Sequence, residues 1–315
     1  FKIDKKLENK DIFINEPYLI NVKLENNNLE NCKPNKFKLY YNFNDQNKLA
    51  KIEKLNFLNN KNPLLDKNIP SFIKKISNNK YLIKKGDWNV TEPIILDGQL
   101  TIEKGSQLKF SRDNYIFIKG DLFVEGTSKE PVIMTSIKKN ERWKGLYIYS
   151  EEKNEKNSII SNLEINNTKA TEVGILNLTG AVTFYNKELL IDNLKISDSI
   201  AEDAINIVKS RVKIKNLQIN DSESDAFDCD FCDGNIENLT LNRIGGDGLD
   251  ISGSNIKATI NEANNVKDKV VSIGEKSVID IDINNVKNSY VGAAIKDASS
   301  ANINFKDIQT QGPIA

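Results

Sequence analysis

Apolar and polar residues alternate in short runs through the C-terminal two thirds of the chain, and they do not hold a helical period. Three of these runs have related sequences, EDAINIVKS, SDAFDCDFC and GDGLDISGS, which begin at Glu202, Ser224 and Gly246. Consecutive starts are therefore 22 residues apart. A short unit of strands repeated at a fixed interval is typical of a solenoid, in which each unit packs on its neighbours.

Alignment of the repeats gives two apolar columns with a mostly polar column between them. Because side chains alternate across a strand, the apolar columns are predicted to point inward and the polar column outward. Each unit also contains a second short strand, as in VKIKNLQI and GNIENLTL, so the pattern predicts an all-β parallel β-helix with about 22 residues per coil. The columns are Ile205, Phe227, Leu249, Val271 and Ala293 (apolar), Asn206, Asp228, Asp250, Ser272 and Ala294 (mostly polar), and Ile207, Cys229, Ile251, Ile273 and Ile295 (apolar).

The N-terminal part of the sequence has a different character. Residues 1–80 are rich in Asn and Lys and show no echo of the 22-residue repeat, which predicts a β-rich or cap region. Residues 81–315 are predicted to form the β-helix domain, and its first coils are indicated by GSQLKF, GDLFVEG and PVIMTS, strand-like runs separated by turn residues.

Composition narrows the possible functions. The 44 basic and 44 acidic residues cancel, so no global field favours nucleic acid or anionic lipid, and no apolar run is long enough to insert into a membrane. The chain has no histidine, which removes the usual general base and the commonest metal ligand. Any chemistry must therefore use carboxylates, Lys, Arg or Tyr.

The three cysteines cannot all pair within one chain, and Cys229 is predicted to be a small buried apolar side chain.

Carboxylates concentrate between Asp225 and Asp250, a stretch that contains six Asp residues. In a parallel stack, equivalent positions of adjacent coils are about 4.8 Å apart, and like charges at this spacing raise one another's pKa or require a cation. Asp residues just before a strand are predicted to bond turn amides. For residues in the middle of a strand the structural explanation is simple solvation, although Asp is a poor strand former. The first group is Asp203, Asp225 and Asp247, and the second is Asp228, Asp230 and Asp250.

Two functional alternatives use the second group. As hard oxygen ligands, Asp228, Asp230 and Asp250 are a candidate calcium site. As paired carboxyls, they suit a glycoside hydrolase, because Asp228 with Asp250 fits the spacing of a retaining enzyme, about 5 to 5.5 Å. Asp230 with Asp250 fits the spacing of an inverting enzyme, about 6.5 to 9.5 Å.

A polysaccharide lyase is the other chemical alternative. In it, calcium on the Asp cluster would acidify a uronate, with Lys269 or Lys296 as the base and Arg243 as a charge partner. Lys269 follows Asp247 by 22 positions, so a plain ion pair between them explains its position equally well.

The candidate substrate-binding residues are Trp143, Tyr147 and Lys296. The two aromatic rings, with Tyr149, could form a platform for sugars or belong to the core.

The order of the runs GILNLTGAVTFYNKELLIDNLKISDSIAEDAINIVKS, SDAFDCDFCDGNIENLTL, GGDGLDISGS, DKVVSIGEKS and GAAIKDASS resembles the right-handed parallel β-helix domain that accompanies spore-coat-H-like (CotH) kinase domains. The resemblance covers roughly residues 80 to 308 and implies a right-handed β-helix. Residues 1–80 contain no kinase motif, so kinase activity is not carried over to this chain. What the resemblance implies is a kinase-like domain elsewhere in a longer precursor.

We therefore expect a secreted or envelope-associated module that binds a glycan or a protein partner through an acidic outer face. The alternative is a polysaccharide lyase or glycoside hydrolase that uses the clustered Asp residues.

Overall fold

A computed structural model describes residues 40–43, 46–49, 69–150, 157–173 and 176–315. The chain divides into two compact units, Phe1–Asn60 and Lys61–Ala315. In the first unit, Tyr40–Phe43 and Gln46–Leu49 pair as an antiparallel hairpin. The described part of the second unit contains strands and no helix. No helix in the described part of the chain is long and apolar enough to cross a membrane.

One parallel sheet of nine short strands runs along the second unit, and we call it the short sheet. Each strand pairs with the strand one coil earlier and the strand one coil later. Its outer face therefore shows one strand from each successive coil. The strands, in spatial order, are Ile94–Asp97, Ile116–Lys119, Leu146–Tyr149, Gly180–Tyr185, Asp203–Val208, Asp225–Asp230, Leu249–Ser252, Lys269–Gly274 and Val291–Ile295.

The remaining walls of the solenoid form a 16-stranded sheet, which we call the long sheet. It is parallel except where Ile73–Ser77 pairs antiparallel with Lys80–Ile83. A separate antiparallel pair is made by Thr171–Val173 and Leu176–Leu178. The other long-sheet strands are Asp87–Val90, Gln99–Glu103, Gln107–Phe110, Leu122–Glu125, Val132–Ser136, Ser158–Thr168, Glu188–Ser199, Arg211–Ser222, Asp233–Ile244, Asn255–Val266, Val278–Ile283, Val286–Ser289, Ser300–Phe305 and Ile308–Thr310.

The predicted 22-residue register is confirmed. Phe227 pairs with Leu249, and Leu249 pairs with Val271, as the first apolar column requires. These side chains are buried in one continuous core, so the fold is the predicted all-β, right-handed parallel β-helix. At the last coil the second apolar column departs from the prediction, because Ile295 is exposed.

Asparagines turn the corners of the long sheet. Asn216 and Asn238 adopt a left-handed backbone conformation, with φ of 56° and 58°, which Asn tolerates better than most residues. Their side chains also stack from coil to coil. Asn238 donates Nδ2 to Oδ1 of Asn216 at 2.9 Å, and Asn261 donates to Asn238 at 3.3 Å. Asn284 continues the chain by donating to Asn261 at 3.5 Å, and we call these four residues the asparagine ladder.

Candidate functional site

Six Asp side chains gather on the outer face of the short sheet, on three consecutive coils. The register places Asp228 beside Asp250, and Asp203 beside Asp225. Four of them are half-buried, and Asp203 and Asp247 are buried. We call this group the acidic cluster; it comprises Asp203, Asp225, Asp228, Asp230, Asp247 and Asp250.

Two members of the cluster have a clear structural role at the start of the strands. Asp225 Oδ1 accepts a hydrogen bond from the backbone N–H of Asp247 at 2.8 Å. Asp247 Oδ1 accepts one from the N–H of Lys269 at 3.0 Å, one coil further on. Gly246 makes room for this arrangement, since a Cβ there would lie 2.0 Å from Asp225 Oδ1. These carboxylates bond amides of the next coil, close to the role expected from the sequence.

The Asp residues in the middle of the strands, Asp228, Asp230 and Asp250, which we call the strand column, are less completely paired. Asn206 donates Nδ2 to Asp228 Oδ2 at 2.8 Å. In the part of the chain that the structure describes, Asp250 Oδ1 is buried and has no hydrogen-bond partner. The Ser272 hydroxyl, one coil further on, is equally buried and unpaired, and the residue is 0% exposed. Unpaired buried oxygens of this kind cost free energy and call for an explanation.

Electrostatics within the cluster favour protonation. Burial raises the pKa of Asp228 to about 8, and the neighbouring carboxylates, first Asp230, add to the rise. Burial likewise raises the pKa of Asp203 to about 6, although a hydrogen bond with Thr179 opposes it. Both shifts favour the protonated form of these carboxyls.

The other strand-column carboxyls shift in the same direction. The pKa of Asp250 is raised by burial and by Asp247, while Lys296 and the Ser272 hydroxyl oppose the rise. The pKa of Asp230 is raised by burial and then by Glu275. The Ser272 hydroxyl thus faces the carboxyl of Asp250, although no hydrogen bond of ordinary geometry joins them.

One group of three carboxylates combines two Asp residues that precede the strands with one from the strand column. One oxygen each from Asp225, Asp247 and Asp250 lies within 4.8 Å of the others. The calcium site predicted from the sequence, Asp228 with Asp230 and Asp250, shares only Asp250 with this group. The difference arises because the carboxylate of Asp225, at the start of its strand, approaches that of Asp250 diagonally on the next coil, which a linear repeat does not reveal.

The predicted basic residues have different surroundings. Lys269 lies in the cluster, where Nζ is 2.9 Å from Asp247 Oδ1 and also bonds Asp268. Burial lowers the pKa of Lys269, but these two hydrogen bonds raise it overall, so it is a charged ion-pair partner and not a ready base. Lys296 is exposed and close enough to Asp250 to influence that carboxyl.

Arg243 lies elsewhere. It belongs to the long sheet and forms a bidentate pair with Asp221, at 2.5 and 2.7 Å. It also lines a groove of about 610 Å³ with the exposed Tyr290, and the described lining of this groove contains no member of the acidic cluster. The structure therefore does not bring Arg243 together with Asp228 and Asp250.

The predicted aromatic platform needs correction. Trp143 is 0% exposed, stacks on Phe110 with ring centroids 4.0 Å apart, and donates Nε1–H to the Asn166 carbonyl. Tyr147 is 2% exposed and donates its hydroxyl to the Lys144 carbonyl. Both rings belong to the interior, so neither can present a face to a sugar.

A different pair of aromatic rings is accessible. Tyr149 and Tyr185 are half-buried neighbours on the short sheet, with ring centroids 5.7 Å apart. The register then runs from Tyr185 to Val208 and from Val208 to Asp230. The two tyrosines and one carboxylate of the acidic cluster therefore share a single outward column.

Cys229 and Cys232 are joined by a disulfide at the end of the strand that carries Asp228 and Asp230. Cys229 is buried, as the repeat predicts, and its pairing with Cys232 was not anticipated. The disulfide closes the turn that follows Asp230 and ties it to the core.

Comparison with known proteins gives limited matches. Residues 74–187 match the sequence model of a family described as a pectate-lyase-like beta helix domain. The matched segment ends before Asp203, so it does not include the acidic cluster. No curated protein matches the chain.

Two similar solved structures are forms of one enzyme. The periplasmic alginate epimerase AlgG is 10% identical, with coverage of 78% of this chain and 82% of that chain and a TM-score of 0.30. A point mutant of the same epimerase is 11% identical, with coverage of 79% and 80% and a TM-score of 0.29.

Two residues of the site were missed from the sequence. Ser272 was visible in the polar column, but nothing in the repeat shows that its hydroxyl is buried without a partner. Tyr185 lay outside the aligned repeats. Tyr185 pairs with Tyr149 on the adjacent strand, and this pairing can be predicted only when the register of the earlier coils is known.

Proposed function

We propose that this β-helix domain binds a polysaccharide along the outer face of the short sheet. The observation that carries the proposal is the shared column of Tyr149, Tyr185 and Asp230, which runs directly into the acidic cluster. Tyr185 and Asp230 are two coils apart, which corresponds to about 9.6 Å along the solenoid axis. An extended chain of sugars laid parallel to that axis contacts both groups.

The chemistry of the face defines the ligand class. Tyrosine rings offer broad apolar surface together with a polar hydroxyl, which suits the mixed surface of a sugar. Carboxylates accept hydrogen bonds from hydroxyl or amino groups, and charge strengthens these bonds. A neutral or amino-containing polysaccharide fits this face directly, whereas a polyuronate is repelled unless a cation intervenes.

Isothermal titration against a panel of neutral, amino-containing and acidic polysaccharides tests the proposal. We expect Tyr185→Ala and Asp230→Asn each to weaken binding about tenfold, equivalent to about 1.4 kcal/mol. Tyr290→Ala is the matched control, since Tyr290 is an exposed tyrosine in the other groove. No binding to any member of the panel, or a larger loss in the control variant, would contradict the proposal and favour a protein partner or the second groove.

The second candidate function is a glycoside hydrolase or polysaccharide lyase. Asp228 and Asp250 occupy paired positions on adjacent coils, close to the separation that a retaining hydrolase requires. Asp228 also carries the proton that a general acid must hold at neutral pH, since burial raises its pKa to about 8.

An activity screen separates binding from catalysis. Reducing ends indicate hydrolysis, and absorbance of unsaturated uronates indicates a lyase. For an enzyme, Asp228→Asn and Asp250→Asn abolish turnover while circular dichroism shows an intact β-fold. For a binding module, no polysaccharide in the panel is cleaved by the wild-type protein.

We further propose that the domain acts outside the cytoplasm, in a secreted or envelope-associated protein. The disulfide between Cys229 and Cys232 supports this location, because such bonds persist in oxidising compartments. Of three cysteines in the chain, one is then free, so the denatured, unreduced protein should react with one equivalent of a thiol reagent. Reaction of three equivalents would contradict it. The kinase-like domain of a longer precursor stays a prediction from the family resemblance.

A further inference from the structure

Phe231 is an exposed aromatic residue in a backbone conformation that does not suit it. It lies at the corner that follows Asp230, with 54% of its surface exposed and a φ of 55°. A bulky residue in this left-handed region is an outlier, because its Cβ crowds the following carbonyl oxygen. Neither burial nor backbone preference therefore explains a phenylalanine at this corner.

The equivalent corners of other coils contain residues that tolerate this conformation. Asn186 and Gly253 have φ of 56° and 60°, and each donates its N–H to a carbonyl of the following coil, as Phe231 does. A Cβ on Gly253 would lie 2.7 Å from Cδ1 of the Phe231 ring, so the glycine leaves room for that ring. The ring is therefore placed where the backbone favours another residue, and such outliers are concentrated at binding sites.

The turn that presents the ring is held on both sides. Cys229 and Cys232 bracket Phe231, are joined by a disulfide, and lie in the core. The Phe231 N–H also donates to the carbonyl of Ser252 on the next coil at 2.8 Å. Because the backbone around it is fixed, the ring is preorganised and loses little conformational freedom when a ligand binds.

Phe231 continues the row of aromatic rings that begins with Tyr149 and Tyr185. Lys209 lies on the coil between Tyr185 and Phe231, at the same corner as Phe231. Its Nζ donates to the Tyr185 hydroxyl at 3.1 Å and lies 5.4 Å from the centroid of that ring, so side chains of this corner reach the outer face of the short sheet. The coils of Tyr185 and Phe231 are two apart, about 9.6 Å along the solenoid axis.

We propose that Tyr185 and Phe231 stack on alternate sugars of a β-1,4-linked polysaccharide of the glucose type, such as a glucan or chitin. In such an extended two-fold chain every second sugar turns the same face to the protein, and the repeat of two sugars is similar in length to two coils. An aromatic ring contacts the C–H face of a sugar, which glucose-type rings leave free of hydroxyls. Lys209 and Asp230, beside the rings, donate and accept hydrogen bonds with sugar hydroxyls. This stacking rests on the proposed function, the binding of a polysaccharide to the short sheet, and adds the class of ligand.

Isothermal titration with oligosaccharides of defined length tests the ligand class. Cellohexaose or chitohexaose should bind to the wild-type protein at least tenfold more tightly than maltohexaose, whose α-1,4-linked chain curves and cannot face both rings. The tetramer of the favoured series should bind at least tenfold more tightly than the dimer, because a dimer cannot reach both rings. Equal affinities for the three hexamers would overturn the ligand class.

Variants test the role of Phe231. Phe231→Asn should weaken binding of the favoured hexamer about tenfold. It should leave the midpoint of thermal unfolding within about 2 °C of the wild type, because Asn suits the backbone but loses the contact with Gly253. Phe231→Tyr keeps a ring and should bind within about twofold of the wild type. Leu190→Asn, at an exposed apolar residue of the long sheet, is the control and should bind as the wild type does.

The dependence on chain length separates a ligand contact from a structural residue. In Phe231→Asn the gain in affinity from dimer to tetramer should disappear, since only Tyr185 then stacks on a sugar. The same gain in this variant and the wild type would overturn the role of Phe231, and so would equal losses in Phe231→Asn and Phe231→Tyr. Binding that depends on Tyr185 but not on Phe231 would leave the proposed function in place and contradict the stacking alone. A wild type that binds no polysaccharide would contradict both.

Discussion

The asparagine ladder and the acidic cluster are both stacks of polar side chains repeated from coil to coil, but only one of them is self-sufficient. In the ladder each side-chain amide can both donate and accept a hydrogen bond. Asn238, for example, donates to Asn216 and accepts from Asn261. A carboxylate only accepts when ionised. Asp225 and Asp247 obtain backbone amides, whereas Asp250 Oδ1 is buried and has no hydrogen-bond partner of ordinary geometry among the described residues.

This difference shows how a solenoid separates structure from function. A stack of groups that donate and accept can extend through many coils without any ligand. A stack of carboxylates accumulates charge and unused acceptors, so burial and mutual repulsion raise the pKa of its members, as for Asp228. The incomplete pairing of the acidic cluster is therefore the feature that suggests a ligand.

The largest effect is expected from breaking the ladder. Asn238→Ala removes the side chain from two hydrogen bonds and places alanine at a φ of 58°, which L-residues other than Asn and Gly rarely adopt. We expect a loss of about 1 to 3 kcal/mol in the free energy of unfolding, measured with urea.

Asn235→Ala is the control, because Asn235 is an exposed residue of the same strand. It should change stability by less than about 0.5 kcal/mol. Equal losses in the two variants would mean that stacking and backbone conformation give Asn238 no special role.

The dependence of stability on pH should differ between the two stacks. Burial raises the folded pKa of Asp228 to about 8 and that of Asp203 to about 6, compared with about 3.9 for Asp in an unfolded chain. Between these values the folded protein binds more protons than the unfolded chain. Stability should therefore fall as the pH rises from about 4 to about 8.

Urea unfolding of Asp228→Asn between pH 6 and 8 identifies the group responsible. The free energy of unfolding of the variant should fall much less than that of the wild type over this range, because Asp203 is largely ionised above pH 6 and contributes little there. Asn238→Ala should keep the wild-type slope, since it removes no titrating group. A slope in Asp228→Asn as steep as that of the wild type would contradict the raised pKa of Asp228.

The smallest effect is expected at Arg243, which has a left-handed φ of 56° and a half-exposed side chain paired with Asp221. Exposed ion pairs contribute about 0 to 1 kcal/mol, and asparagine favours this backbone conformation. Arg243→Asn should therefore change stability by less than about 1 kcal/mol and leave polysaccharide binding unchanged. A loss of binding would instead support the role that the sequence suggested for this arginine.

The sequence predicts the fold well because the register depends on a repeat that can be counted. The spacing between Asp228 and Asp250 is enough to place them on adjacent coils, and the structure pairs them. The exposure of aromatic residues could not be predicted in this way. Trp143 and Tyr149 lie six positions apart, yet one packs on Phe110 in the core and the other lies partly exposed on the outer face.

The composition of the site was only partly predictable, for a related reason. The repeat specifies which residues stack along the solenoid axis but not how close neighbouring columns lie across a face. Asp225 and Asp250 belong to different columns, and their proximity depends on how the chain turns into the strand. The four asparagines of the ladder are spaced by 22 or 23 positions in the sequence. They lie within strands that are identified by their apolar residues, so the apolar pattern alone does not point to them.

The most direct test of the contrast between the stacks is a pH titration of the side-chain carboxyl and amide carbons, followed by NMR. We predict that Asp228 titrates with a pKa of about 8, because burial and the neighbouring carboxylates oppose its ionisation, while the side-chain signals of the asparagine ladder do not change with pH. A pKa of about 4 for Asp228, as in an unfolded chain, would contradict the claim that the acidic cluster, unlike the ladder, is an incompletely paired stack.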